Sequence, residues 1–180
     1  MRLLAISGSL RRASSNTLLI EALADLSAPG VEVEVYRGLG QLPHFNPDLD
    51  GETIDAVRAL RQAVGQADGL IICSPEYAHG VAGVMKNALD WLVPSLEFPL
   101  TPVALLNTAP HAHHAQAHIR DTLEVMQARI VEDASVTISL HGRSSVEAIL
   151  ADETLAAAAR KALSTFTDAI AALPAKPDWT

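Results

Sequence analysis

Cysteine is almost absent from this 180-residue chain: Cys73 stands alone, which excludes an intrachain disulfide and a cysteine-built metal cage. Placed at the end of a short apolar run, that residue is expected to fill core space. No apolar run approaches the roughly 18 residues a membrane-spanning helix needs. Runs of basic residues are missing too, and with Lys and Arg at 13 against Asp and Glu at 21 the formal charge is −8, which speaks against nucleic acid and anionic membranes as partners. A Gly-x-Gly-x-x-Gly fingerprint for a resident dinucleotide does not occur. The apolar opening of residues 1–6 is cut short by Ser7 and Gly8, with no small-residue cleavage site behind a proper hydrophobic core, so the expected location is the cytoplasm.

What the chain does have is a regular alternation of apolar segments. Its length fits a single domain over residues 1–180, enough to bury roughly 70% of the unfolded surface. Strands are expected at 3–6, 31–36, 70–73, 103–106 and 136–140. Helices are expected at 17–26, across 54–64, and at 81–93, 115–128 and 153–173, the last ended by Pro174. Strands separated by helices imply an α/β doubly wound parallel sheet of five strands, order 2-1-3-4-5, with helices on both faces. In such sheets a ligand sits beyond the carboxyl ends of the strands, between strands 1 and 3.

At the end of strand 1 stands Ser7-Gly8-Ser9-Leu10-Arg11-Arg12-Ala13-Ser14-Ser15-Asn16-Thr17. Gly8 permits a tight turn, and the following helix aims its free N–H groups and positive dipole end at whatever the loop holds. Ser9, Ser14, Ser15, Asn16 and Thr17 add donors, and Arg11 adds a planar permanent charge. The set suits a phosphate monoester. Simple helix capping is the alternative reading, but capping needs one such residue rather than five and an arginine.

The end of strand 3 should face that loop, and there the chain reads Ser74-Pro75-Glu76-Tyr77-Ala78-His79-Gly80-Val81-Ala82-Gly83, running on into Lys86-Asn87-Ala88-Leu89-Asp90-Trp91-Leu92. Tyr77 offers a flat face with a polar tip, while Gly80 and Gly83 let a planar ligand approach the backbone. For 86–91 helix packing or a subunit contact is the expected role. Together, GSLRxxSxN after strand 1 and SPEYxxGxxGxxKNALDWL after strand 3 resemble the NAD(P)H-dependent FMN reductase family, which includes quinone, azo-dye and chromate reductases.

The resemblance implies a flavodoxin-like fold, bound FMN with NAD(P)H as transient substrate, and a homodimer or homotetramer. It implies that Ser9, Arg11, Ser14, Asn16 and Thr17 hold the FMN phosphate, with Ser15 assisting. Pro75, Glu76, Tyr77 and Ala78 would border the isoalloxazine, and Gly80 would approach it by backbone. Many members carry Asn and Ser where this chain has Ala78 and Gly80, so side-chain hydrogen bonds there are lost while backbone contacts remain. After strand 4 a Gly/Ser-rich loop is common, whereas here residues 107–114 read NTAPHAHH.

The implied chemistry passes hydride from NAD(P)H through FMN to a quinone, free flavin, azo compound or similar acceptor, with no protein acid or base required. His111 is a candidate for contact on the substrate side. A metal site from His111, His113, His114 and His118 is a rival reading that lacks a neighbouring carboxylate in the loop, and no metal is expected. The rival function is a non-catalytic flavodoxin-like module, either an electron carrier or a partner-binding domain. The phosphate loop lacks the Thr-rich run of flavodoxins, and strand 1 lacks the acidic pair of a phosphorylated receiver.

Overall fold

The alternating pattern folds into a parallel sheet sandwiched by helices, seen in a computed structural model that describes residues 1–174; the end of the expected 1–180 domain, residues 175–180, lies outside the described residues. In chain order the elements are β1 (Arg2–Ser7), α1 (Ser15–Asp25), β2 (Glu32–Tyr36), α2 (Asp55–Gly65), β3 (Gly69–Cys73), the short strands β4 (Glu76–Tyr77) and β5 (Gly80–Val81), α3 (Gly83–Leu92), β6 (Pro102–Leu106), α4 (His113–Val125), β7 (Arg129–Ile130), α5 (Val146–Leu150) and α6 (Glu153–Ala172). The sheet order is β2-β1-β3-β6-β7, every neighbouring pair parallel. This is the expected 2-1-3-4-5 winding, with the β4–β5 hairpin standing apart from the sheet.

Two cores follow from strand geometry, because successive side chains point to opposite faces. Leu3, Ala5, Ile71, Cys73, Ala104 and Leu106 pack under α1, α5 and α6, while Leu4, Ile6, Leu70, Ile72, Val103 and Leu105 pack under α2, α3 and α4. The strands therefore read as unbroken apolar runs, as strands covered on both sides must. On α6 Leu155, Ala159, Ala162 and Phe166 are buried along one face.

The fifth strand is corrected by the structure. The sheet position expected for 136–140 is opened by β7, at Arg129 and Ile130, and only a single parallel bridge, Asn107 to Thr137, forms further along. Between them the chain detours through a 3-10 turn at Glu132–Ala134. Ser135 closes the gap: its Oγ accepts from Leu105 N at 3.0 Å and donates to Val131 O at 2.8 Å, taking the place of a backbone partner. Pairing resumes as Asn107 N donates to Val136 O at 3.1 Å and Asn107 O accepts from Ile138 N at 2.8 Å. Hydrophobic alternation marks the resumed part but is blind to a side chain standing in for the ladder. Elsewhere the first helix starts earlier, at Ser15, and the helix expected from 81 starts at Gly83, because 76–81 form the hairpin.

Candidate functional site

The phosphate-type loop and the second loop touch at the switch point. Gly8 N donates to Cys73 O at 2.9 Å, and a Cβ at Gly8 would stand 2.2 Å from Ser74 Oγ. Only a glycine allows that approach. Beyond it, Ser7 Oγ and Thr17 Oγ1 share a hydrogen bond of 2.8 Å, Ser9 N donates to Ser7 Oγ at 3.3 Å, and Arg11 N donates to Ser9 Oγ at 3.2 Å. These bonds wrap the loop over the start of α1 and fix where its hydroxyls stand.

The start of α1 is built for an anion. Its N-cap, Ser14, makes no side-chain cap bond, and no acidic residue lies in the first turn. Among the described residues the N–H groups of Ser15, Asn16 and Thr17 have no acceptor. Such unpaired N–H groups, with the helix dipole behind them, complement a negative ligand. The Arg11 side chain folds back, its Nε donating to Ala13 O at 2.9 Å, which holds the guanidinium beside the loop. This donor set fits a phosphate, including that of FMN.

Ser15 and Asn16 turn their side chains elsewhere. Ser15 Oγ and Thr108 Oγ1 are 3.0 Å apart, and Asn16 Oδ1 accepts from Thr108 Oγ1 at 3.2 Å and from Cys73 Sγ at 3.1 Å. Asn16 is 5% exposed and Thr108 8%. The pair therefore ties α1 to the ends of β3 and β6. Thr108, overlooked in the sequence, is the hub of that tie; its signal is a polar residue directly after a buried strand end. Cys73 adds a hydrogen bond to the packing expected of it, and burial pushes its thiol pKa up, keeping it protonated as the donor.

The second loop is a hairpin whose two turn residues, Ala78 and His79, both have positive φ, 49° and 59°. Turns of this hand usually take Asn or Gly, so two residues with a Cβ here carry strain. Gly80 is free of that demand, and a Cβ there would meet only Tyr77 O at 3.4 Å. Two anchors hold the hairpin. Glu76 reaches the start of α4 and accepts from Ala115 N at 2.9 Å, and this bond, reinforced by the His114 N–H and by the His114 and His79 rings, holds its carboxyl below the usual range. The His79 ring stacks on His114, centroids 4.3 Å apart, and His114 lies 4.2 Å from His113. Tyr77 is left 57% exposed at the hairpin's edge.

The histidines thus assemble differently from the sequence pattern. His118, one turn beyond His114, stays out of the column, and His79 from the hairpin joins it. Among the described residues no group of three or more His, Cys, Asp or Glu is placed to hold a metal. The exposed ring of His111 makes no hydrogen bond or ring contact among the described residues; its carbonyl meets His113 Nδ1 at 3.0 Å. Along α3, Asn87 and Trp91 serve packing. Asn87 Oδ1 accepts from Phe45 N at 2.8 Å, Asn87 Nδ2 and Trp91 Nε1 both donate to Pro43 O, and the Phe45 and Trp91 rings meet edge to face. They staple the long segment after β2 to the domain.

Ligands of doubly wound sheets bind where the strand order reverses, and here that is the contact between Gly8 and Ser74. An anion seat on one side of it and an exposed aromatic on the other suit the two ends of a phosphorylated flavin, which puts the chain in the class of flavodoxin-like FMN proteins. It belongs to the NADPH-dependent FMN reductase family, whose model matches residues 1–142, and is an NAD(P)H-dependent flavin oxidoreductase. It is 32% identical to a 2-hydroxy-1,4-benzoquinone reductase from Burkholderia sp, over 96% of this chain and 95% of that one. An NADPH azoreductase of a Bacillus species is 36% identical, covering 61% of this chain and 59% of its own. Among solved structures, the flavoenzyme NAD(P)H:acceptor oxidoreductase FerB from Paracoccus denitrificans superposes with a TM-score of 0.81 at 25% identity, over 94% of this chain and 97% of that one.

Proposed function

We propose that Ser9, Arg11, Thr17 and the first-turn N–H groups of α1 grip the FMN phosphate, and that Pro75, Glu76, Tyr77, Ala78 and Gly80 border its ring. Ser14, Ser15 and Asn16 shape the loop from behind, the last two through Thr108. The observation that carries this reading is the uncapped start of α1, where the N–H groups of Ser15, Asn16 and Thr17 lack any acceptor among the described residues. When bound, FMN supplies the hydride chemistry, accepting from NAD(P)H and giving to a second substrate.

The chain's own part is positional. Thr17 is held by Ser7, Arg11 is held by Ala13, and Glu76 is held by α4, so the groups around the cofactor need little reorganisation on binding. Glu76 stays ionised at neutral pH and engaged with α4, which removes it as a proton donor and assigns it to holding the hairpin. The open side beyond Tyr77 suits a planar acceptor. A quinone is the acceptor proposed, supported by the benzoquinone reductase relative, with azo compounds and free flavin as further acceptors, the azoreductase relative supporting the former. His111 is retained as a candidate contact on that side. We place the protein in the cytoplasm as a homodimer or homotetramer; no described helix is long and apolar enough to cross a membrane.

The test is spectral. Purified protein should bind FMN in titration, bleach anaerobically on NADPH addition and regain its colour with a quinone. A protein that binds no FMN refutes the assignment, and one that binds FMN but is not reduced by NADPH or NADH is a carrier instead.

A further inference from the structure

The acidic residues of this chain avoid the mouth of the crevice. Of 21 Asp and Glu, none falls in residues 1–20, 77–89 or 98–120, the stretches that follow the chain through or just past the carboxyl ends of β1, β3 and β6. Glu76, at the root of the hairpin, is already committed: its carboxylate accepts from the N–H groups of Ala115 and His114. In a chain of net charge −8, a mouth cleared of carboxylates is where an anion can approach without repulsion. The cofactor's phosphate accounts for the first stretch. The other two lie on the open side, beyond Tyr77, and the phosphate does not explain them.

Histidine occupies that gap. Five of the seven histidines lie in those two stretches, and four of these, His79, His111, His113 and His114, stand at the hairpin turn and the entry to α4. The permanent cations of the same stretches, Lys86 and Arg120, are paired with Asp90 and Glu132, so the imidazoles are the basic side chains left to meet a ligand. His79, His114 and His113 form the ring column already described, and the His113 Nδ1 contact with His111 O pins the loop that carries His111. Among the described residues the ring nitrogens of His79, His111 and His114 make no hydrogen bond. An imidazole keeps at least one N–H donor in every form it takes here, and such a donor binds an ionised oxygen about twice as strongly as a neutral one. A neutral acceptor needs neither the cleared margin nor the unspent donors.

We infer that His79, His111 and His114 select a negatively charged electron acceptor, a planar quinone or azo compound bearing an ionised ring substituent such as a sulfonate, a carboxylate or an acidic hydroxyl. The inference rests on the flavin reductase reading and adds the charge of the acceptor to it.

Two acceptors that share a ring and differ in charge test it on the FMN-loaded enzyme: 1,4-naphthoquinone-2-sulfonate and 1,4-naphthoquinone. The readout is the ratio of their kcat/KM values, sulfonate over parent, compared between wild type and two variants. His111→Ala/His114→Phe removes two donors while keeping a ring in the column, and His111→Glu places a carboxylate in the cleared mouth at a ring that makes no contact of its own. The ratio should fall at least tenfold in the first, the scale of one hydrogen bond to a charged group, and at least as far in the second. Binding gives a readout free of turnover: in calorimetry naphthalene-2-sulfonate should bind the oxidised enzyme at least tenfold more weakly in either variant, with 2-naphthol affected less than threefold.

A ratio that falls less than tenfold in His111→Glu overturns the inference, and that single exposed substitution decides the matter should the double variant fold poorly. It is equally overturned if the KM for NADPH rises and the acceptor ratio stays put, since the imidazoles then serve the nicotinamide substrate. Failure of the flavin reading looks different: wild type takes up no FMN, and titration of that protein with naphthalene-2-sulfonate against 2-naphthol still reads the imidazoles by themselves.

Discussion

Replacing Gly8 by Ala perturbs the close contact of the two loops. The added methyl carbon would lie 2.2 Å from Ser74 Oγ, 2.7 Å from Ser74 Cβ and 3.1 Å from Ser74 Cα, where unstrained contacts sit near 3.5–4.0 Å. Ser74 is 1% exposed and follows Cys73, whose carbonyl is bonded to Gly8 N, so neither side can swing away without breaking that bond. Overpacking of this kind costs roughly 1–3 kcal/mol, and three short contacts with one immobile residue argue for the upper half of that range. Relief should be specific. Ser74→Gly removes the two nearest atoms and leaves only the 3.1 Å approach to Cα, at its own cost of about 0.5–1 kcal/mol in chain entropy. In a double-mutant cycle by urea denaturation, Gly8→Ala should therefore cost at least about 1 kcal/mol less in the Ser74→Gly background. FMN titration of the same proteins should show affinity falling in Gly8→Ala and partly restored in the double variant. A cost that is the same in both backgrounds would mean that the loops are not held by this contact, and the picture of a pre-formed crevice fails.

Arg11→Ala should weaken FMN binding by about 1.5–3 kcal/mol, the scale of a hydrogen bond to a charged group, read by calorimetry; unchanged affinity removes Arg11 from the seat. Thr108→Val should cost about 1–2 kcal/mol in urea unfolding, since Asn16 then keeps only the Cys73 thiol and Ser15 loses its partner. A loss no larger than that of an exposed Thr→Val control would deny the tie. Ala78→Gly should raise stability by about 0.5–1 kcal/mol, because relief of a left-handed alanine exceeds the entropy glycine adds, and a lower melting temperature contradicts the strain. The Glu76 carboxyl is held below its ordinary value of 4.5, so its contribution is present above that value and fades as pH falls through the lower folded-state one. Glu76→Gln should therefore be less stable than wild type at neutral pH, with the gap closing in acid below pH 4.5; a gap constant from pH 7 to pH 3 shows that the charge is not what matters.

The sheet was legible because each of its central strands is an apolar run flanked by helical periodicity, and the Ser9 to Thr17 loop because its donors cluster in sequence. What escaped shares one physical feature, side chains that act in place of backbone. Ser135 completes the ladder of β6, Thr108 ties the end of β6 to α1, and Glu76 serves the start of α4, which its own residue Ala112 leaves without a side-chain cap. Each acts across 30 or more positions of sequence, from a residue type that is equally common in plain loops. The hairpin was hidden for another reason: Ala78 and His79 occupy a turn that favours Asn and Gly, so the local preference contradicts the conformation that the anchors impose.

That contradiction ties the two ends of the site together. A left-handed turn built from Ala and His persists only if its surroundings over-determine it, at a cost on the order of 1 kcal/mol or more per residue. The surroundings here are the Glu76 bond to α4 and the His79 ring on His114, both reaching the same helix end. The other loop is fixed differently, by a glycine contact and a buried polar tie through Asn16 and Thr108, and Thr108 belongs to the segment that leads into α4. Both halves of the proposed FMN crevice are thus anchored to the stretch between β6 and α4. A disturbance of that stretch should loosen phosphate seat and ring border together, whereas one confined to Arg11 should loosen the phosphate seat alone.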